Sequence, residues 1–257
     1  MESFSRPRRD EDLVLLHAAL TWSGPGGVPD LFWHQLKLSA VVVLVATAFG
    51  GGIGLVMGHT GRGSLVAVNA SNSTRAVPTL ALLTLLAINA SISVKQVLGV
   101  PLAPLIALTV LAIPPILTNT FVGIREVDAD VTDAARAMGL TGRQVMGRVE
   151  LPLGLPFIVA GIRISAIEVV ATSTLAAFTG YADLGTPIFA GLSTGNTSEA
   201  LYGAMVVAAM SALVAGAFWL LLRAVTPPAL RASRRTGNML VPAPVVDATL
   251  PSQTAHP

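Results

Sequence analysis

Five stretches of the sequence are apolar, almost free of charge and long enough to cross a lipid bilayer. Crossing about 30 Å of hydrocarbon takes roughly 20 helical residues, because each buried backbone amide must be bonded within its own segment. His59 lies near the end of the first stretch, and Arg163 and Glu168 interrupt the fourth. The pattern predicts an all-α, polytopic membrane helix bundle with about five transmembrane helices. The five windows are residues 38–61, 76–94, 96–124, 151–182 and 200–222.

The composition agrees with a membrane protein and excludes several other classes. Hydrophobic residues make up 53% of the chain and charged residues only 12%, whereas soluble domains carry roughly 25% charged residues. Disorder, a coiled coil and a nucleic-acid-binding module are therefore excluded as the main interpretation. The chain contains no cysteine, which excludes a disulfide scaffold, an Fe–S protein and any Cys-based zinc site. The four histidines lack ligand spacing, so neither a catalytic site nor a metal site is predicted.

The basic residues predict the orientation of the spans, since Lys and Arg are in excess in cytoplasmic loops. The connection between the first two windows, the segment 125–150 and the C-terminal tail are rich in Arg, whereas the loops near 89–101 and 180–199 together hold one Lys. We expect the first three regions to be cytoplasmic and the other two to face outward. Five spans then place the N-terminus outside, although Arg6, Arg8 and Arg9 favour the cytoplasm. A sixth span is the alternative.

Three regions are expected along the chain. Residues 1–33 form an N-terminal arm with a possible interfacial helix at 13–20, anchored by Trp22, Phe32 and Trp33, and show no cleavable signal peptide. Residues 34–225 form the transmembrane domain. Residues 226–257 are rich in Pro, Ala, Ser and Thr and are expected to be a disordered cytoplasmic tail.

The segment 126–150 is the most polar part of the hydrophobic body, and its pattern is helical. Asp128 or Asp130 can cap the start of a short helix, and Gly139 suits the left-handed residue that ends it. Thr141 can cap a second short helix. Four apolar residues recur at helical spacing on the first helix: Val131, Ala134, Ala135 and Met138.

A capped amphipathic helix pair in a tight cytoplasmic loop is suited to dock into a groove on another protein. The alternative is a connector that lies on the lipid headgroups. Pro152 is expected to mark the turn from this segment into the fourth span.

Specific residues of this segment resemble the EAA loop in permease subunits of bacterial ABC importers. That pattern is Glu-Ala-Ala, three residues, Gly, nine residues, Ile, one residue, Leu-Pro. Asp133 stands at the Glu position and keeps the carboxylate, and Val149 stands at the Ile position. The other matching residues are Ala134, Ala135, Gly139, Leu151 and Pro152.

Further segments resemble the osmoprotectant branch of these permeases, which transport glycine betaine, carnitine or choline. The resemblance covers roughly residues 34–225 and includes 78–83, 113–124, 148–153, 160–163, 171–180 and 183–185.

The resemblance implies a bacterial inner-membrane permease subunit that forms the translocation pathway for a small quaternary amine. It implies two permease subunits, either two copies or one copy with a similar chain, and an extracytoplasmic binding protein. Cytoplasmic ATPase subunits would bind ATP and Mg, and this chain would hold no cofactor; it contains no Gly-x-x-x-x-Gly-Lys-Ser/Thr phosphate loop. The residues expected at the ATPase are Asp133, Ala134, Ala135, Met138, Gly139, Leu151 and Pro152.

Two ionisable residues lie inside the fourth window. A charge at membrane depth is costly and usually faces protein or water. Arg163 is expected to have a structural role or to extend toward the cytoplasm. Glu168 is expected either to line the translocation path, where a carboxylate would suit a quaternary ammonium, or to make a structural hydrogen bond.

Two other classes of protein fit the windows alone. A secondary transporter or channel for a small polar solute would work without an ATPase, and an intramembrane enzyme or assembly scaffold would transport nothing. Co-purification with an ATPase subunit distinguishes the permease from both.

Overall fold

The computed structural model describes residues 26–63, 79–89, 92 and 95–225. The residues of the interfacial helix predicted at 13–20, Trp22 and the predicted tail lie outside these ranges. Seven helices and one short antiparallel hairpin occur in the described part: α1 Val28–Thr60, α2 Thr79–Ile88, β1 Gln96–Val97, β2 Val100–Pro101, α3 Leu102–Arg125, α4 Ala129–Ala137, α5 Gly142–Thr179, α6 Gly185–Thr194 and α7 Thr197–Val225.

Four of these helices, α1, α3, α5 and α7, are long and apolar enough to cross a membrane. They correspond to four of the five predicted windows, and the shorter apolar helix α2 lies in the remaining one. The bundle is therefore the polytopic helical architecture that the windows predict.

A stripe of glycines on α1 lets its backbone pack directly on α3. A methyl group on Gly50 would lie 2.9 Å from the carbonyl oxygen of Ile113, and one on Gly58 would lie 2.6 Å from Cβ of Ile124. Contacts this short leave no room for a side chain, so the two helices touch through their main chains. The stripe consists of Gly50, Gly54 and Gly58.

The main apolar core lies where α1, α3 and α5 meet. Ser165 on α5 is fully buried there and donates a 2.8 Å hydrogen bond to the carbonyl oxygen of Ala112 on α3, so its hydroxyl is satisfied. The core includes Leu38, Val42, Ala46, Leu108, Ala112, Ile116 and Val169.

Contacts at both ends of the bundle show that α1 and α3 run in the same direction. A Cβ atom on Gly99, in the hairpin before α3, would lie 2.5 Å from Lys37 Nζ near the start of α1. At the opposite end, a Cβ atom on Gly61 would lie 3.0 Å from Arg125 Nη1 at the end of α3. The chain between Gly61 and the hairpin must therefore return across the bundle, and α2 lies in this return. The geometry supports five crossings.

The two ends differ in basic residues. The end that carries α4 is rich in arginine, whereas the far end holds Lys37 and Lys95. Since positive charge is in excess on the cytoplasmic side, this distribution agrees with the predicted cytoplasmic location of the end with α4. The arginines at that end include Arg62, Arg125, Arg136, Arg143 and Arg148.

The first helix begins earlier than its apolar window. It starts at Val28, after Gly27 and with Pro29 in its first turn. Phe32 and Trp33, predicted as anchors in the N-terminal arm, are part of this helix, and Trp33 is exposed.

The expectation that Pro152 marks a turn into the fourth span is wrong. Helix α5 runs without interruption from Gly142 through Pro152 to Thr179. A proline inside a helix lacks an N–H group and crowds the carbonyl four residues earlier. The turn just before it, Met146–Glu150, is a wider π-helical turn, which accommodates the ring without ending the helix.

Candidate functional site

Helix α4 has the two ends that the sequence predicts. Asp128 precedes the helix, and its side chain accepts a 2.9 Å hydrogen bond from the amide of Asp130. At the other end Gly139 has φ +90°. Its amide donates to the carbonyl of Arg136 at 2.9 Å, and the amide of Leu140 donates to the carbonyl of Ala135 at 3.2 Å. These bonds form a complete Schellman motif, which fixes the length of α4.

The apolar stripe of α4 divides between the protein body and the surface. Ala135 is buried, with 3% of its surface exposed, and attaches the helix to the rest of the chain. Met138 is 75% exposed and Val131 is 44% exposed. Exposed methionines are common at surfaces that bind other proteins, because the side chain is apolar and adaptable.

Asp133 lies on the surface of α4 and is available to a partner. Its carboxylate accepts a 3.1 Å hydrogen bond from Arg136, one helical turn later, and both side chains are exposed. An exposed ion pair of this kind contributes about 0–1 kcal/mol, so it is easily exchanged for an intermolecular contact.

The first turn of α5 is also capped as predicted. Thr141 precedes it, and the amide of Thr141 donates to Oε1 of Gln144 at 2.8 Å. Val145 is fully buried. Leu151 is half-buried and Pro152 exposed. The matching residues of the loop therefore lie together at the cytoplasmic end, on α4 and the first three turns of α5.

A contact between His59 and Glu150 was not predicted. Nδ1 of His59, in the last turn of α1, lies 2.6 Å from Oε2 of Glu150 on α5. Glu150 is buried, with 5% of its surface exposed. The two residues are 91 positions apart, so no spacing pattern links them; the only signal was a lone polar residue in an otherwise apolar window.

Glu168 and Arg163 both lie on α5 and are partly exposed. Neither has an ion-pair partner within 4.0 Å in the part of the chain that the structure describes. Glu168 shares its helix face with the exposed residues Ile164 and Ala171. This face of α5 is not covered by the described part of the chain.

A polar cluster joins α1 to the loop after α5 at the far end. Gln35 is fully buried; its Nε2 donates to the carbonyl of Val170 at 2.9 Å, and its Oε1 accepts from the amide of Leu184 at 3.1 Å. Nδ1 of the neighbouring His34 lies 3.1 Å from the carbonyl oxygen of Ala182. These bonds hold the outer loop against the start of α1.

Asp183, in the same outer loop, is a buried carboxyl. Its Oδ1 accepts a 2.8 Å hydrogen bond from the amide of Gly185, and its Oδ2 has no partner within the described ranges. Burial raises the pKa of Asp183 to about 7, although backbone hydrogen bonds from Gly185 and Thr186 lower it.

Several long apolar helices and a capped helix held at one end of the bundle define a multi-pass membrane protein. Residues 34–231 match the family of binding-protein-dependent transport system inner membrane components. The chain belongs to this family and is a multi-pass protein of the inner membrane.

Characterised relatives match over most of their length. The carnitine transport permease protein OpuCB of Listeria monocytogenes is 34% identical over 207 residues, covering 80% of this chain and 91% of the relative. The glycine betaine/carnitine/choline transport system permease protein OpuCB of Bacillus subtilis (strain 168) is 31% identical over 199 residues, covering 77% of this chain and 88% of the relative.

A solved structure shows the same fold. A chain of the MetNI methionine ABC transporter, in an inward-facing conformation, superposes with a TM-score of 0.64 at 24% identity. The match covers 78% of this chain and 96% of that chain. This chain thus shares its fold with a chain of an ABC transporter.

Proposed function

We propose that this chain is the permease subunit of an ATP-driven ABC importer for a small quaternary-amine osmoprotectant: glycine betaine, carnitine, choline or proline betaine. Membership of the family and the names of its relatives support the class and the substrate. The observation that carries the mechanism is α4, a helix capped at both ends that presents Asp133 and Met138 at the cytoplasmic surface.

In this mechanism α4 inserts into a cleft on a cytoplasmic ATPase subunit. Ala135 holds the helix to the permease, while Ala134, Met138 and Asp133 face the partner. Gly139 turns the chain so that α5 follows at once. An apolar ridge with a charged rim suits such a groove, because the apolar side chains are desolvated and the rim fixes orientation.

The continuity of α5 supports direct transmission of movement to the membrane. The helix runs over 38 residues from Gly142 to Thr179, which corresponds to roughly 55 Å. Movement imposed at its cytoplasmic end by ATPase closure would displace Glu168 and the far end without an intervening hinge loop. The permease would thereby alternate between inward-open and outward-open states.

The energy source and the substrate delivery lie in partner subunits. ATP and Mg would be bound by the ATPase, because this sequence contains no phosphate-binding loop. An extracytoplasmic binding protein would deliver the substrate to the far end, and a second permease subunit would cover the open face of α5. Glu168 lies on that face. A quaternary ammonium has no N–H to donate, so a carboxylate would recognise it through charge alone.

Purification and reconstitution test this proposal. The chain, expressed with its cellular partners, is expected to co-purify with an ATPase subunit, and reconstituted vesicles should accumulate a quaternary amine only with ATP and a binding protein. Asp133→Lys should weaken ATPase binding, whereas Asp30→Lys, a charge reversal near the start of α1, should not. Uptake in vesicles that contain this chain and no ATPase would instead identify a stand-alone transporter or channel.

A further inference from the structure

The end of α1 is fixed in place beside α3. Gly58 is the last residue of the glycine stripe, and a Cβ atom on it would lie 2.6 Å from Cβ of Ile124 and 3.2 Å from the carbonyl oxygen of Phe121. The next residue is His59, and the helix stops at Gly61, which has φ +68°. The imidazole therefore projects from a backbone that close packing holds still.

The imidazole of His59 lies beside the first turns of α5. Nδ1 lies 2.6 Å from Oε2 of Glu150. On the other side of the ring, a Cβ atom on Gly142 would lie 3.4 Å from Nε2. His59 thus contacts the residue that closes the π-helical turn of α5 and lies next to the residue where α5 begins.

Glu150 depends on this contact. The carboxyl group is buried, with 5% of the residue exposed, and His59 is its hydrogen-bond partner in the described part of the chain. A buried carboxylate without a partner is strongly disfavoured. The pair therefore links the turn that carries Glu150 directly to the last turn of α1.

We propose that His59 is a positioning residue that locks the coupling segment, α4 and the start of α5, to the α1–α3 pair. The inference rests on the proposed function, since it assigns this lock a role in energy coupling. With the pair intact, a push on α4 moves α5 together with α1 and α3. Without it, the first turns of α5 shift independently, and ATP is hydrolysed without opening the pathway.

The test uses the complete complex of permease, ATPase and binding protein in vesicles, with ATP hydrolysis and substrate uptake measured on the same preparation. His59→Leu should leave hydrolysis within about twofold but raise the ATP consumed per substrate transported by roughly fivefold or more, as expected for losing one hydrogen-bonded contact. His59→Asn places an amide N–H near the position of Nδ1 and should restore much of the coupling. Thr60→Val is the matched control, because among the described residues the Thr60 hydroxyl bonds within α1, to the carbonyl oxygens of Val56 at 2.8 Å and Met57 at 3.4 Å.

A double substitution identifies the pair as the cause. His59→Leu combined with Glu150→Leu should be no worse than either single change, since each removes the same interaction. If His59→Leu fails to assemble, Glu150→Gln, which keeps an acceptor oxygen, should remain coupled while Glu150→Leu does not.

The proposal is overturned if the His59 variants consume the same ATP per substrate as the original chain, even when less complex is assembled. It is also overturned if Asn and Leu at position 59 behave alike. Failure of the original chain to bind any ATPase would instead refute the proposed function itself. This binding is therefore measured before any variant is made.

Discussion

Gly154 on α5 faces the carbonyl group of Gly123 on α3 so closely that a Cβ atom on Gly154 would lie 2.8 Å from that oxygen. The reverse also holds, since a Cβ on Gly123 would lie 3.0 Å from the carbonyl oxygen of Gly154. Here α3 and α5 touch through bare backbone on the cytoplasmic side of the bundle.

Replacing Gly154 with Ala should separate these helices and lower stability by about 1–3 kcal/mol, the usual cost of overpacking. Thermal unfolding of the purified protein in detergent measures this loss. Gly147→Ala is the control, because a Cβ there meets nothing within 4 Å, and it should be neutral or stabilising. Equal melting temperatures for the two variants would show that the α3–α5 contact is not tight.

Replacing Gly139 with Ala should damage the end of α4 through backbone strain alone. The space around it is open, with nothing within 4 Å of a Cβ, but its φ is +90°. An L-residue in a left-handed conformation costs about 1–2 kcal/mol. ATPase binding should weaken in Gly139→Ala and less so in Gly139→Asn, because Asn tolerates this conformation better. Binding assays on the co-purified complex compare the affinity of the two variants for the ATPase subunit.

Replacing Gln35 with Leu should destabilise the far end. The substitution leaves the buried amide of Leu184 without its partner, at about 1–3 kcal/mol for an unsatisfied group. The carbonyl of Val170 loses the bond from Gln35 but still accepts one from Oγ of Ser173 at 3.0 Å. Gln96→Leu, at an exposed position of the hairpin, is the control. Unfolding midpoints in detergent should fall for the first variant only.

Asp183 should make stability depend on pH. Its pKa in the folded protein is about 7, above the value of 3.8 for an unperturbed group. The folded state therefore binds a proton more tightly than the unfolded state between these two values. Stability should fall as pH rises from about 4 to 7, and then level off, by up to about 4 kcal/mol.

Asp183→Asn should flatten this profile, since the amide stays neutral and still accepts the hydrogen bond from Gly185. The two unfolding curves, measured across the same pH range, should diverge as pH rises. Parallel curves would mean that the carboxyl is solvated in the folded protein.

Glu168→Gln should leave assembly intact but reduce uptake of a cationic substrate. The change removes one charge from the uncovered face of α5 and keeps the shape of the side chain. Glu199→Gln, near the start of α7, removes a charge elsewhere and should leave uptake unchanged. Unaltered transport by the Glu168 variant would assign that residue a structural role.

The sequence predicted best those features that depend on residues close together in the chain. Charge-free windows indicated the long helices, because no other secondary structure with such a composition satisfies its backbone in lipid. The ends of α4 followed from Asp128 and Gly139, since caps depend on residues within a single turn.

The features that the sequence did not predict depend on contacts formed in the folded structure. Helix α1 begins at Val28 and not near residue 38, because the bonds of Gln35 to Val170 and Leu184 allow a polar residue to be buried. Helix α5 continues through Pro152 because a π-helical turn precedes it. The pair of His59 and Glu150 forms only after α1 and α5 have packed. The roles of Glu168 and of the loop residues at the ATPase remain predictions.

The parallel course of α1 and α3 makes the topology of the whole subunit depend on the segment between them. During membrane insertion, the stretch that contains α2 has to cross back before α3 can enter in its proper direction. If this crossing failed, every later helix would be inverted, and α4 would face away from the compartment that contains ATP. The orientation of the later helices is therefore decided early, by the segment between Gly61 and the hairpin.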